Sequence, residues 1–413
     1  MSPAAAGPGL RPGEFVPLVA LLMSLVALAI DAMLPALPAI GRDLEVARRN
    51  DVQLVITSVF LGLGLGQIVF GPLSDRIGRK PAIQAGLLLF LAGCLMSIFA
   101  PTFEGMLAGR VLQGVGAAAP RVVVVALVRD RYEGRQMARL LSFAMAAFIL
   151  VPAIAPALGQ GIQWLAGWRA IFAVFFAAGA LAFAWFGLRQ PETLPPARRR
   201  PFTPRIVGAG VLEVLRYRAA FGYTFATGFV FALFVAYLSS AQQVFQEAYR
   251  TGALFPLYFA VLALAIAAAS LANGRLVMKH GMRRLVRAAT AAVALLSAAA
   301  WALALAYEGL PPLWLFTGYL FVAFLGIGLL FGNLNALAME PLGHIAGVGS
   351  AVVSSLSTFI SVLLGAGAGL AFDGTIYPLT GAFAVFGAAA YGAIRWAEGA
   401  GGTHRRRGPA SPA

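Results

Sequence analysis

Apolar runs of about 20 residues, the length a helix needs to cross a hydrocarbon core, recur twelve times along the chain with short polar breaks between them. The first six cover 15–40, 52–71, 82–100, 105–128, 140–158 and 171–188. The second six cover 220–242, 254–272, 286–307, 313–337, 347–372 and 376–394. Between the sets lies a polar interval, 189–218, holding Pro191, Pro195, Pro196 and the run Arg198, Arg199 and Arg200. This pattern predicts an all-α integral membrane protein of two six-helix bundles. Its parts are a tail (1–14), a first bundle (15–188), a linker (189–218), a second bundle (219–394) and a second tail (395–413). Within the linker, 206–215 reads either as an amphipathic helix on the membrane surface or as a solvated tether.

The two halves carry a weak repeat. Gly71, Arg76 and Gly78 recur as Gly274, Lys279 and Gly281, and the same offset nearly superimposes the starts of spans 1 and 3 on those of spans 7 and 9. Repeated six-helix halves around a central binding site are a transporter architecture.

Composition agrees with the spans: of 413 residues 60% are apolar and 11% charged. The net charge of +15 would suit nucleic acid, but the cations sort by membrane side instead. Arg42, Arg48, Arg49, Arg169 and Arg250 fall on one side, Arg110 and Arg121 lie inside span 4, and the rest of the 31 Lys and Arg fall on the other. By the positive-inside rule both termini are cytoplasmic, in what is expected to be a bacterial inner membrane. The first apolar run is too long for a secretory signal and is read as retained. Cys94 is the one cysteine, so disulfides and cysteine metal sites are excluded; no metal spacing and no phosphate-cradling lysine loop are seen. No cofactor is expected, and no catalytic constellation suggests an enzyme.

Of the 16 acidic residues, Asp31 alone falls well within an apolar span. Counted at 1.5 Å per residue, it lies roughly 13 Å deep, Arg110 roughly 9 Å and Arg121 roughly 25 Å from the same side. An arginine at such depth costs about 2.5–3.5 kcal/mol and calls for a polar partner. Arg110 is therefore expected to pair with Asp31.

Four motifs carry a family resemblance. Gly71-Pro72-Leu73-Ser74-Asp75-Arg76-Ile77-Gly78-Arg79-Lys80 resembles the loop between helices 2 and 3 that marks major facilitators. Its glycines permit a tight reversal, and Asp75 is placed to accept hydrogen bonds or to face the positive N-terminus of span 11. Arg110 to Ala118 in span 4 is similar to the family motif whose arginine is tied to proton coupling. Ile30 to Pro38 resembles the first-helix signature of the Bcr/CflA group, with Ala32 and Met33 departing from it. Pro152, Pro156 and Gly159 of span 5 resemble the antiporter motif, with Ala155 and Gln160 where glycines are usual. The resemblance covers 15–394 and implies a proton-coupled drug exporter of the Bcr/CflA type, monomeric, needing only lipid, protons and its small-molecule substrate.

The repeat offset maps Asp31 to Phe234, Arg110 to Leu313, Arg121 to Phe324 and Asp75 to Met278. Proton coupling is thereby assigned to Asp31, Arg110 and Arg121 of the first half. The substrate cavity is assigned to Asp31, Gln113, Phe231, Phe234, Tyr237, Asn333 and Asn335, and gating to Gly71, Asp75, Arg76, Gly78, Arg79 and Lys80. One acid and two bases favour neutral, zwitterionic or weakly anionic amphipathic substrates of phenicol-like kind. One proton falling through 100 mV supplies about 2.3 kcal/mol, enough for a gradient of roughly 50-fold. Two other readings fit the same scaffold: a proton symporter importing a small metabolite, and a non-transporting receptor or assembly factor.

Overall fold

The computed structural model describes residue 10 and residues 12–132, 134–199 and 204–399. Both predicted tails beyond these limits, and Arg200 of the linker, lie outside the described residues. Fourteen α-helices follow one another: α1 (Pro12–Asp31), α2 (Leu37–Asp43), α3 (Leu54–Ile77), α4 (Arg79–Ile98), α5 (Phe103–Arg131), α6 (Gly134–Ala166), α7 (Trp168–Arg189), α8 (Pro204–Arg216), α9 (Arg218–Leu238), α10 (Phe255–His280), α11 (Met282–Ala306), α12 (Leu313–Met339), α13 (Ala346–Leu370) and α14 (Tyr377–Glu398). Ten stretches of these residues are apolar and long enough to cross a membrane, and one of them, Leu313–Leu370, folds as both α12 and α13. With α6, twelve crossings result. The helix α8 lies in the linker and packs on α13.

The first span departs from expectation. A continuous helix over 15–40 was predicted, but the chain breaks after Asp31 and turns through a 3-10 segment at Leu34–Ala36 before α2. Proline explains the break: Pro35 and Pro38 have no N–H to give the carbonyls of Asp31 and Leu34, and the Ala36 N–H turns back to the Met33 carbonyl at 2.9 Å. Asp31 therefore ends a helix rather than sitting in the middle of one.

Small residues set the packing, because lipid tails offer helices no hydrophobic reason to associate and close backbone approach must supply the contact. A Cβ at Gly62 of α3 would overlap the Val111 carbonyl of α5, and one at Gly114 of α5 would overlap the Val59 carbonyl of α3. Gly62 and Gly66 are thus packing positions, as their small-xxx-small spacing suggests. The halves meet along two seams, α3 with α13 and α6 with α10.

The repeated glycines adopt matching conformations. Gly78 separates α3 from α4 at φ 111°, and Gly281 separates α10 from α11 at φ 78°. Both lie where an L side chain is strained.

Candidate functional site

Between the halves a cavity of about 750 Å³ runs from Asp31 to the side that carries the helix ends at Asp75 and Gly347. Asp31 is buried, 3% exposed, and lines this cavity. Among the described residues no hydrogen bond or ion pair reaches its carboxyl. The facing wall is aromatic. Phe231 and Phe234 of α9 stack at 6.0 Å between centroids, Phe331 of α12 meets Phe234 edge-on at 6.1 Å, and Tyr237 meets Phe324 at 4.8 Å. Phe60 of α3 touches Phe231 at 5.7 Å, so the aromatic patch reaches across both halves. Phe231, Phe234, Tyr237, Asn335 and Arg121 all line the cavity. Ser354, Ser357 and Thr358 of α13 add hydroxyls, a cluster the sequence displayed as a serine-threonine run in an otherwise apolar span.

Arg110 does not pair with Asp31. It is fully buried and donates to the carbonyls of Ala29 (2.8 Å) and Val55 (3.0 Å) and to Oε1 of Gln113, with Phe172 5.5 Å below its guanidinium. The reason is the break in span 1. Ending α1 at Asp31 leaves its last carbonyls without intrahelical donors, and a cation at that negative helix end is favourable. Arg110 thus caps the helix whose final residue is Asp31, which makes it a positioning residue outside the cavity wall.

Two further assignments are corrected by the same geometry. Gln113 is fully buried between Arg110 and the Sγ of Cys94, 3.0 Å from its Nε2, and does not line the cavity. Asn333 turns away to pair with Asn273, its Nδ2 2.7 Å from the Asn273 Oδ1, and Asn273 lines the wall in its place.

Of the span 5 residues, Pro152 lines the cavity and Pro156 is buried. Gly159 packs against the broken segment of span 1, where a Cβ would overlap the Ala32 carbonyl. The backbone just past Asp31 is therefore pressed on by α6.

The loop after α3 forms a charge network. Arg79, 4% exposed, donates to Asp75 (2.6 Å), Ser74 (2.7 Å) and Asp130 of α5 (2.9 Å). Asp75 also reaches α13, since a Cβ on Gly347 would stand 3.7 Å from its Oδ2. Glu192, just beyond α7, accepts the N–H groups of Arg79 (2.9 Å) and Lys80 (3.0 Å), so a carboxylate caps the N-terminus of α4. Its side chain fills the space a Cβ at Gly78 would need. Lys80 donates to the Gly187 carbonyl at 2.7 Å. Gly71 and Asp75 stand at the cavity mouth, whereas Arg76 is exposed and takes no part in the network. Asp130 and Glu192 were not foreseen; each was visible only as an acid amid the basic residues that follow spans 4 and 6.

Two six-helix halves around a central cavity are the architecture of a membrane transporter. The chain belongs to the Major Facilitator Superfamily, whose family model matches residues 19–366. It is 31% identical over 353 residues to an uncharacterized MFS-type transporter, YdgK, of Bacillus subtilis, covering 84% of this chain and 86% of that one. It is 29% identical to a chloramphenicol resistance protein of Pseudomonas aeruginosa, covering 91% and 90%. In fold it is similar to the xylose transporter XylE from E. coli in a partially occluded inward-open conformation, with TM-score 0.70, 12% identity, and coverage of 93% and 96%.

Proposed function

We propose that this protein exports small amphipathic compounds in exchange for protons by alternating access, as a monomer in the bacterial inner membrane with both termini in the cytoplasm. The observation that carries this reading is the Asp31 carboxyl in the cavity wall, opposite an aromatic face and bound to no cation among the described residues. A carboxyl in that setting either takes up a proton or accepts hydrogen bonds from a substrate group, and the two compete. With Arg110 turned to backbone carbonyls, competition takes place at Asp31 directly. Proton arrival from outside neutralises Asp31 and favours return of the empty carrier; proton release inside accompanies substrate capture.

The wall also bears on substrate. Asp31 and Arg121 offer one charge of each sign inside the span region, and the aromatic patch suits a ring. Neutral, zwitterionic or weakly anionic compounds of phenicol-like size fit this balance, and the likeness to a chloramphenicol resistance protein supports the same choice. A susceptibility screen in an efflux-deficient host, comparing the native chain with Asp31→Asn, tests the proposal. Resistance to uncharged drugs that vanishes in the variant is expected; resistance confined to lipophilic dications overturns the substrate assignment. In inverted vesicles, exchange and cotransport move lumenal pH in opposite directions when substrate is added, so cotransport overturns the direction.

A further inference from the structure

We propose that Asn50 is the latch holding the halves shut on the side opposite the cavity mouth, the counterpart of Asp75 at the other end of the same helix pair. This rests on the alternating-access reading above and adds what sets the balance between its two states.

Asn50 lies in the turn Arg49–Gln53 that leads into α3. Its single amide uses all of its principal capacity across the seam. Nδ2 donates to the carbonyls of Leu370 (2.9 Å) and Phe372 (2.7 Å), and Oδ1 accepts from Nε2 of Gln243 (2.7 Å). Leu370 ends α13, whose last turn holds no basic residue. The orphan carbonyls of that helix end are therefore served by the other half. At the opposite end α13 has no acid in its first turn, and Asp75 of α3 stands there instead. Groups at the two ends of one helix of the first half thus meet the two ends of one helix of the second, Asn50 by hydrogen bonds and Asp75 by proximity.

The three bonds of Asn50 pull on a single body. Gly365 and Gly369 of α13 pack so closely on α9 that Cβ atoms there would lie 2.6 Å from Val235 and Ser239, and Gln243 continues from α9. Opening this side must break all three bonds together. The neighbouring pair, Arg49 with Glu247 at 2.6 Å, has an arginine side chain 75% exposed and contributes little by itself.

The test reads accessibility, which needs neither substrate nor proton. In a Cys94→Ser background, Leu238→Cys supplies a reporter that is fully buried and lines the cavity, so that from the outside it is reached only when this side opens. An impermeant maleimide is added from the outside to right-side-out vesicles. Loss of all three hydrogen bonds is expected to raise the labelling rate at least about tenfold in Asn50→Ala. Asn50→Asp, equal in shape but presenting a carboxylate to two carbonyls, is expected to raise it further. Arg48→Ala removes a contact to Asp51 within the same turn and is expected to leave the rate unchanged. A second reporter, Asn335→Cys at the cavity, is labelled in inverted vesicles and is expected to slow as the population moves.

A native labelling rate in both Asn50 variants overturns the latch, as does acceleration at both reporters, which signals loosening rather than a shift. Should the labelling pattern hold while Asp31→Asn still exports at the native rate, the assignment of proton exchange to Asp31 falls and the latch stands.

Discussion

The turn at Gly78 and the turn at Gly281 occupy equivalent places in the two halves. Each ends one long helix and begins the next through a glycine of positive φ, 111° and 78°. Around the first, Arg79 holds Asp75 and Asp130 while Glu192 caps α4. Around the second, Met278 stands 87% exposed where Asp75 would be, and nothing lies within 4 Å of the missing Cβ of Gly281. The positive φ of the turn demands the glycine in both halves; only the first half surrounds it with a buried ion-pair network, whereas the Arg283–Glu340 pair beside the second is exposed. The same division runs through the membrane, where Asp31 and Arg121 face Phe234 and Phe324, their repeat equivalents, across one cavity. One half carries the groups that can switch, and the other supplies a surface against which they switch.

The largest effect that could break this division is a transplanted carboxyl. Asp31→Asn alone is expected to reduce proton-driven export to the level of the empty host with protein abundance unchanged. Adding Phe234→Asp to it returns a carboxyl to the cavity from the opposite wall. The double variant is expected to stay inactive, because α9 there has no helix break and no arginine cap like that which Arg110 gives α1. Proton-coupled uptake into inverted vesicles measures both, and pumping by the double variant would show that position within the halves does not matter.

Next in size is the charge network. Arg79→Ala leaves two partly buried carboxylates facing each other and is expected to cost about 3 kcal/mol, seen as a lowered melting temperature in detergent together with impaired transport. Its opposite in the second half, Arg283→Ala, breaks a pair at 2.9 Å whose side chains are 54% and 59% exposed; below about 1 kcal/mol is expected. Equal losses in the two variants would erase the contrast.

How much of this was legible before the structure depended on dimensionality. Span number follows from hydropathy along one axis, and the glycine repeat follows from spacing, so these carried through. Partnership requires azimuth as well as depth. Arg110 and Asp31 have matching depths, yet Pro35 ends α1 and creates carbonyls that claim the guanidinium first. Gln113 and Asn333 were placed in the cavity by polarity, but a helix offers several faces and theirs point to Cys94 and Asn273. Arg76 was included for its place in a motif, although its side chain remains at the surface. Glu192 and Asn50 were invisible for a different reason. Each lies in a connecting segment and acquires meaning only from the helix end it meets.

The smallest test isolates that last point. Alanine at Gly281 incurs only the backbone cost of a side chain in a glycine conformation, about 1–3 kcal/mol. Alanine at Gly78 meets the same backbone cost and must also displace the Glu192 carboxylate that fills the space beside it, with loss of a helix cap worth ~1 kcal/mol. Gly78→Ala is therefore expected to melt lower than Gly281→Ala by about the value of one cap. In a Glu192→Ala background the difference should vanish, since the carboxylate is gone from both members of the comparison. A difference that persists there would assign the excess to the backbone at Gly78, and the second half would then differ from the first in geometry as well as in charge.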